Sequence, residues 1–261
     1  MSNDTGKLLN EGRLVDAIDS ATRAVRADPG ALGSRIILAD LLLLSGNLER
    51  ADKVLEAAGE PEPSAAWLVA EFRQLLRAAM IRRQVMKDGR VPEFAGEPTA
   101  TQHCVLQALA ELRADDAAAA AASLQAAEDA RPVLSGKANG RDFDDFRDAD
   151  DVLSGSLDVL TTHGRYFWIP TERLAGLEFE PPRRPRDLAW RRCRMQLRDG
   201  TEAEVFVPAL YENDSGTSDA LRLGRETAWT GAHPVRGAGQ RVFLAGEEDI
   251  PVQQLATVAF T

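Results

Sequence analysis

Shifted against itself by 34 residues, the N-terminal part of the chain lays Gly12 on Gly46, Leu14 on Leu48, Ala17 on Ala51 and Pro29 on Pro63. A repeat of this kind constrains the fold strongly, because one copy cannot bury its apolar face alone and must stack on the next. In each copy the alanine follows the glycine by five residues. That interval puts a small side chain where two helices of a hairpin approach closely. The proline, twelve residues further on, ends the second helix.

A period of 34 residues is that of tetratricopeptide helical hairpins. Residues 13–27 carry Leu14, Ala17, Ile18, Ala21, Ala24 and Val25 on a single stripe, and Asp28-Pro29-Gly30 stops the helix. Residues 32–45 are apolar on almost every side, as in a helix packed between neighbours, before Gly46-Asn47 supplies a left-handed cap. Residues 48–58 form the antiparallel partner. Ser64 is placed to cap a further helix, with Trp67, Leu68, Phe72, Leu75, Leu76 and Met80 facing inwards until Asp88-Gly89. A degenerate third hairpin is predicted over residues 101–131, which makes the alanine run 117–122 packed helix. Stacked hairpins leave a concave groove suited to a peptide or helix. Its expected lining is Arg35, Leu38, Leu42 and Phe72.

From about residue 140 the texture changes to short β-type runs between turn residues. Strands are predicted over 165–170, 177–180, 189–197, 203–207, 240–245 and 252–260, with a hairpin turn at Asp199-Gly200 and a short helix over 217–224. The class is therefore α+β: tetratricopeptide-like hairpins, then an antiparallel sheet or small open barrel. The turn-rich stretch 132–140 divides the chain into a helical domain, 1–135, and a β-rich domain, 136–261.

Several chemistries find no support. The formal charge of -10 opposes general nucleic-acid binding. The local exception is Arg183, Arg184, Arg186, Arg191, Arg192 and Arg194 around Trp190, a pattern that grips phosphates or lies solvated along a strand. Two distant cysteines make neither a redox pair nor a zinc cluster, and three scattered histidines give no metal spacing. Ser135-Gly136-Lys137 lacks the earlier glycine of a phosphate loop, so no cofactor is expected. The polar start carries no export signal and the longest apolar run, 36–44, is too short to cross a bilayer. The expectation is a cytoplasmic protein. Asp142, Asp144, Asp145, Asp148, Asp150 and Asp151 form an acidic stretch that fails the calcium-loop template. The aromatic run from Tyr166 to Trp168 reads as a buried strand or as an anchor for a partner.

Together these segments resemble the ImpE/TagJ family, also called SciE-type proteins, of bacterial type VI secretion systems. The carrying residues are GRLVDAIDSATRAVRADP from Gly12, LLLLSGNLERA from Leu41, GEP from Gly96, and Asp148-Ala149-Asp150. GRYFWIP from Gly164, RDLAW from Arg186, DGTEAEVFVPALY from Asp199, DALRLGRETAW from Asp219 and GQRVFL from Gly239 complete them. After Asp150 the family tends to have an arginine and Leu-Gly-Pro, where this chain has Val152, Leu153, Ser154 and Gly155. The resemblance implies a non-enzymatic accessory that binds the small sheath subunit through that subunit's N-terminal helix and influences how the sheath meets the AAA+ ATPase that disassembles it. Asp148, Asp150, Arg165 and Trp168 are family-matched residues without an assigned role. Two competing readings are a general tetratricopeptide-like scaffold and a metal-dependent enzyme using the aspartates with His163 and Arg165.

Overall fold

A computed structural model describes residues 3–57, 63–212 and 218–261. The helical half holds α1 (Asn3–Asn10), α2 (Leu14–Ala27), α3 (Leu32–Leu44), α4 (Leu48–Glu56), a long α5 (Pro63–Asp88), a two-residue strand β1 (Glu93–Phe94), α6 (Ala100–Arg113) and α7 (Ala117–Ala130).

The repeat has a physical cause at its glycine and alanine positions, whereas Pro63, expected to end a helix as Pro29 does, opens α5. Gly12 and Gly46 adopt φ of +80° and +78°, where a side chain is strained. Both close the same helix end. Gly12 donates to the Leu9 carbonyl and Arg13 to that of Leu8, while Gly46 donates to Leu43 and Asn47 to Leu42. These paired bonds satisfy carbonyls that α1 and α3 leave over. Ala17 and Ala51 are both fully buried, as the close approach of helices requires. The Asn47 side chain then accepts from the Arg50 N–H and caps α4.

Helix α3 buries every residue from Leu38 to Leu44. It packs between α2 and α4 and against a 3-10 turn, Pro185–Leu188, contributed by the second half. In α5, Val69, Phe72, Leu75 and Leu76 are core, but Trp67 is 61% exposed, contrary to the sequence expectation. Five positions along a helix is a turn of roughly 140° from Phe72, which carries Trp67 away from the core stripe. The capping role expected of the Ser64 side chain lies outside the described residues. Helix α6 starts on a Thr99–Gln102 capping box and α7 buries Ala120, Leu124 and Ala127.

The second half contains β2 (Gly136–Ala138), β3 (Arg141–Phe143), β4 (Phe146–Asp148), β5 (Ser156–Leu160), β6 (Tyr166–Pro170), β7 (Leu174–Phe179), β8 (Trp190–Leu197) and β9 (Glu202–Pro208). After a short helix α8 (Asp219–Arg222) come β10 (Thr227–Trp229), β11 (Gly237–Gly239), β12 (Val242–Ala245), β13 (Glu248–Pro251) and β14 (Thr257–Phe260). Nine strands form one open sheet in the order β1-β6-β5-β9-β8-β7-β14-β2-β3, antiparallel except where β1 runs parallel to β6. A second sheet joins β13, β12 and β4, and β10 pairs with β11. No closed barrel forms among the described residues, and the class is α+β with the helical repeats first.

The expected strand over 252–260 divides into a 3-10 turn, Val252–Gln254, and β14. Ser218 caps α8, and Thr217, included in the expected helix, lies outside the described residues.

Successive side chains of a strand point to opposite faces, and here both faces of the large sheet are covered. Tyr166 and Trp168 of β6 join the core shared with the helices, whereas Ile169 joins a second core beneath the small sheet. Strand β5 divides alike, with Leu160 on the helical side and Leu157 and Val159 on the other. The core that contains Leu14 and Leu75 thus also contains Trp168, Trp190 and Phe206.

Candidate functional site

Where helices meet sheet, the chain buries a charged network. Asp158 sits in the middle of β5 with its side chain fully buried. Arg82, which α5 presents inwards, donates Nε to Asp158 Oδ2 at 2.7 Å. Arg241, just before β12, donates Nη1 to Asp158 Oδ1 and Nε to Asp148 Oδ2. The Tyr166 hydroxyl donates to Asp158 Oδ2 at 3.1 Å and accepts the Trp168 indole N–H at 2.8 Å. The Tyr211 hydroxyl donates to Asp148 Oδ1 at 2.8 Å.

Burial pushes the Asp158 carboxyl up, but the facing Arg241 and Arg82 outweigh it and hold the group below the usual carboxylate range. Asp148 has one guanidinium and a neighbouring Asp150, so burial prevails and its value is raised. Burial and the adjacent Asp158 raise the Tyr166 phenol far above its ordinary value, which keeps it a neutral donor. Carboxylates so enclosed join elements and meet no solvent.

A second clamp lies across the same seam. Arg186, in the 3-10 turn, approaches Asp40 of α3 at 2.9 Å, an ion pair without the alignment of a hydrogen bond, and both side chains are 3% exposed. Its guanidinium lies 3.9 Å over the Phe72 ring, and Trp190 meets the same ring edge-on. Burial pushes the Asp40 carboxyl up to about 7 against the pull of Arg186. Further along, Asp219 accepts from the Leu14 N–H at 2.8 Å at the start of α2, and Arg225 donates to the Leu9 and Asn10 carbonyls at the end of α1.

This packing corrects the expected groove. Leu38, Leu42 and Phe72 are 1–2% exposed and have no surface to line one: Arg186 and Trp190 of the second half cover Phe72, and α3 is packed by α2, α4 and the 3-10 turn that carries Arg186. Arg35 is part-buried and donates to the Pro29 and Val54 carbonyls.

The family-matched residues are dispersed. Asp148 belongs to the network. Asp150 accepts from the Val152 and Gly237 N–H groups and pairs with Arg236 at 3.0 Å. Trp168 is core, and Arg165 pairs on the surface with Glu93, fastening the β1 edge.

The acidic stretch is mostly spent on arginines: Asp145 on Arg131 and Asp151 on Arg147. Among the described residues no group of three or more His, Cys, Asp or Glu is placed to hold a metal ion. The arginine cluster is spent likewise. Arg191 donates to the Glu180, Val252 and Leu255 carbonyls, Arg192 pairs with Glu204, and Arg194 pairs with Glu202. Sequence reasoning missed Arg82, Asp158, Tyr211 and Arg241, whose partners are remote in the chain.

The fold and its charged seam define a class: a tetratricopeptide-like helical repeat fused to an antiparallel sheet and locked to it. The tetratricopeptide repeat model matches residues 8–72 and the ImpE protein model residues 140–259. The chain is 35% identical over 245 residues to the type VI secretion system accessory component TagJ of Pseudomonas aeruginosa, covering 92% of this chain and 86% of that one. It belongs to the ImpE/TagJ family. The crystal structure of protein VPA1032 from Vibrio parahaemolyticus superposes with a TM-score of 0.92 at 25% identity, covering 99% of this chain and 98% of that chain.

Two outcomes test the seam. Arg241→Ala leaves Asp148 and Asp158 without their shared cation and is expected to cost about 3–5 kcal/mol in urea unfolding; a loss under about 1 kcal/mol would contradict this placement. Asp40 titrates higher folded than unfolded, so its favourable contribution is complete below about 4 and lost as pH passes about 7. Asp40→Asn should therefore gain in stability relative to the parent chain across that window, and a pH-independent difference would contradict the buried, raised carboxyl.

Proposed function

We propose that this chain is an accessory component of a bacterial type VI secretion system. In this reading it binds the small subunit of the contractile sheath through that subunit's N-terminal helix and modulates sheath assembly or its disassembly by the AAA+ ATPase. It acts in the cytoplasm as an adaptor, with no catalytic step and no cofactor. The observation that carries the reading is the match to the accessory component TagJ, which runs through both halves of the chain. In support, the titratable groups of the seam are enclosed and paired, leaving them poorly suited to chemistry on a substrate. Among the described residues no helix is long and apolar enough to cross a membrane.

We also propose that residues 1–135 and 136–261 are two modules that work as one body. With the α3 and α5 faces covered, the repeat half still offers the start of α3, where Gly33, Ser34 and Ile37 border a cavity of about 260 Å³ with Ala24 and Ala31. Arg35 lies in the same turn. Apolar anchors there supply affinity and charges at the rim set register.

Calorimetric titration with a synthetic peptide covering the N-terminal helix of the cognate small sheath subunit tests the reading. Saturable binding, absent with a scrambled peptide, is expected. No heat at high micromolar peptide would overturn it.

A further inference from the structure

A cleft of about 320 Å³ opens at the seam, between the end of α3, the second half of α5 and the segments around β9 and α8. Half-buried Leu210 supplies the apolar wall, with Leu43, Leu44, Leu48 and Leu221 buried behind it. Arg83, Lys87 and Arg222 supply positive charge, with Arg82 behind them already paired with Asp158, and among the described residues that line it the one carboxylate is Glu212.

That carboxylate is shared: Arg83 lies 2.9 Å from it, Arg82 3.6 Å and Lys87 3.9 Å. Arg83 also lies 3.7 Å from Glu49. Arg222 pairs with no carboxylate among the described residues, and Nη2 of Arg82, a side chain 95% or so buried, has no hydrogen-bond partner. A protein with a formal charge of -10 thus carries a part-enclosed cationic cleft, where attraction is screened less than on open surface.

We propose that this cleft binds an acidic, leucine-bearing peptide segment, its carboxylate set at Arg222 beside Arg83 and its apolar side chain against Leu210 and the leucines behind it. Inorganic phosphate would meet the cations and leave that wall unused. Nucleic acid is disfavoured by the negative charge of the surrounding protein. The proposal rests on the adaptor reading only for the peptide nature of the ligand, and it concerns a site distinct from the start of α3.

The test titrates the full chain with acetyl-Leu-Glu-Glu-Leu-amide, its glutamine counterpart acetyl-Leu-Gln-Gln-Leu-amide, and inorganic phosphate. The acidic peptide is expected to bind about tenfold or more tightly than either control, the worth of one charge-assisted contact. Arg222→Glu is expected to abolish that binding and Arg222→Ala to weaken it, both with the melting temperature of the parent chain, since the Arg222 side chain pairs with no carboxylate among the described residues. Equal binding of the glutamine peptide, tighter binding of phosphate, no binding of the acidic peptide, or indifference to Arg222→Glu would overturn the proposal. Failure of the sheath helix to bind while the acidic peptide binds would leave the cleft standing and remove the adaptor reading. Binding of the sheath helix with an inert cleft would do the reverse.

Discussion

Asp158, held between Arg82 and Arg241, is the constraint on which the arrangement of the two halves depends. An isolated carboxylate removed from water costs several kcal/mol, and only well-placed cations and hydrogen bonds offset that. The cations come from far away in sequence: Arg82 lies 76 residues before Asp158 and Arg241 lies 83 residues after it. The charge is therefore satisfied only when α5 lies on the sheet and the segment just before β12 reaches the same carboxylate. An apolar seam of similar volume lacks directional contacts and tolerates sliding, whereas charge pairing favours one register.

The remaining features of the seam follow from that docking. With α5 fixed, Phe72 meets Trp190 and Arg186, and Arg186 meets Asp40, so α3 is enclosed on a side where repeats commonly bind peptides. The RDLAW and GRYFWIP segments supply Arg186, Trp190, Tyr166 and Trp168 to this seam. Val152 and Leu153, where the chain departs from the family pattern, are themselves core, and Asp150 still caps the turn by accepting from the Val152 N–H.

Local physics was legible in the sequence. Gly46-Asn47 announced a left-handed helix end, Ala17 and Ala51 close packing, and the runs 189–197 and 203–207, joined by Asp199-Gly200, a pair of strands. What escaped depends on remote partners. Strand β5 is buried at all five positions, so no alternation marks it, and β2, β3 and β4 are three residues each, too short to show a period. Leu38, Leu42 and Phe72 carry the pattern of a binding face, and nothing near them in sequence records that the second half covers it. The arginines around Trp190 look like one patch, but their acceptors are carbonyls and carboxylates on other strands.

The central claim is that helices and sheet form one cooperative body through the charged seam. Native-state hydrogen exchange of the full chain measures it most directly. The account predicts that the slowest amides of α3 and α5 open with the same free energy as those of β5 and β8, in one global event. Exchange of α3 and α5 through a separate opening of clearly lower free energy, with β5 and β8 still protected, would contradict it.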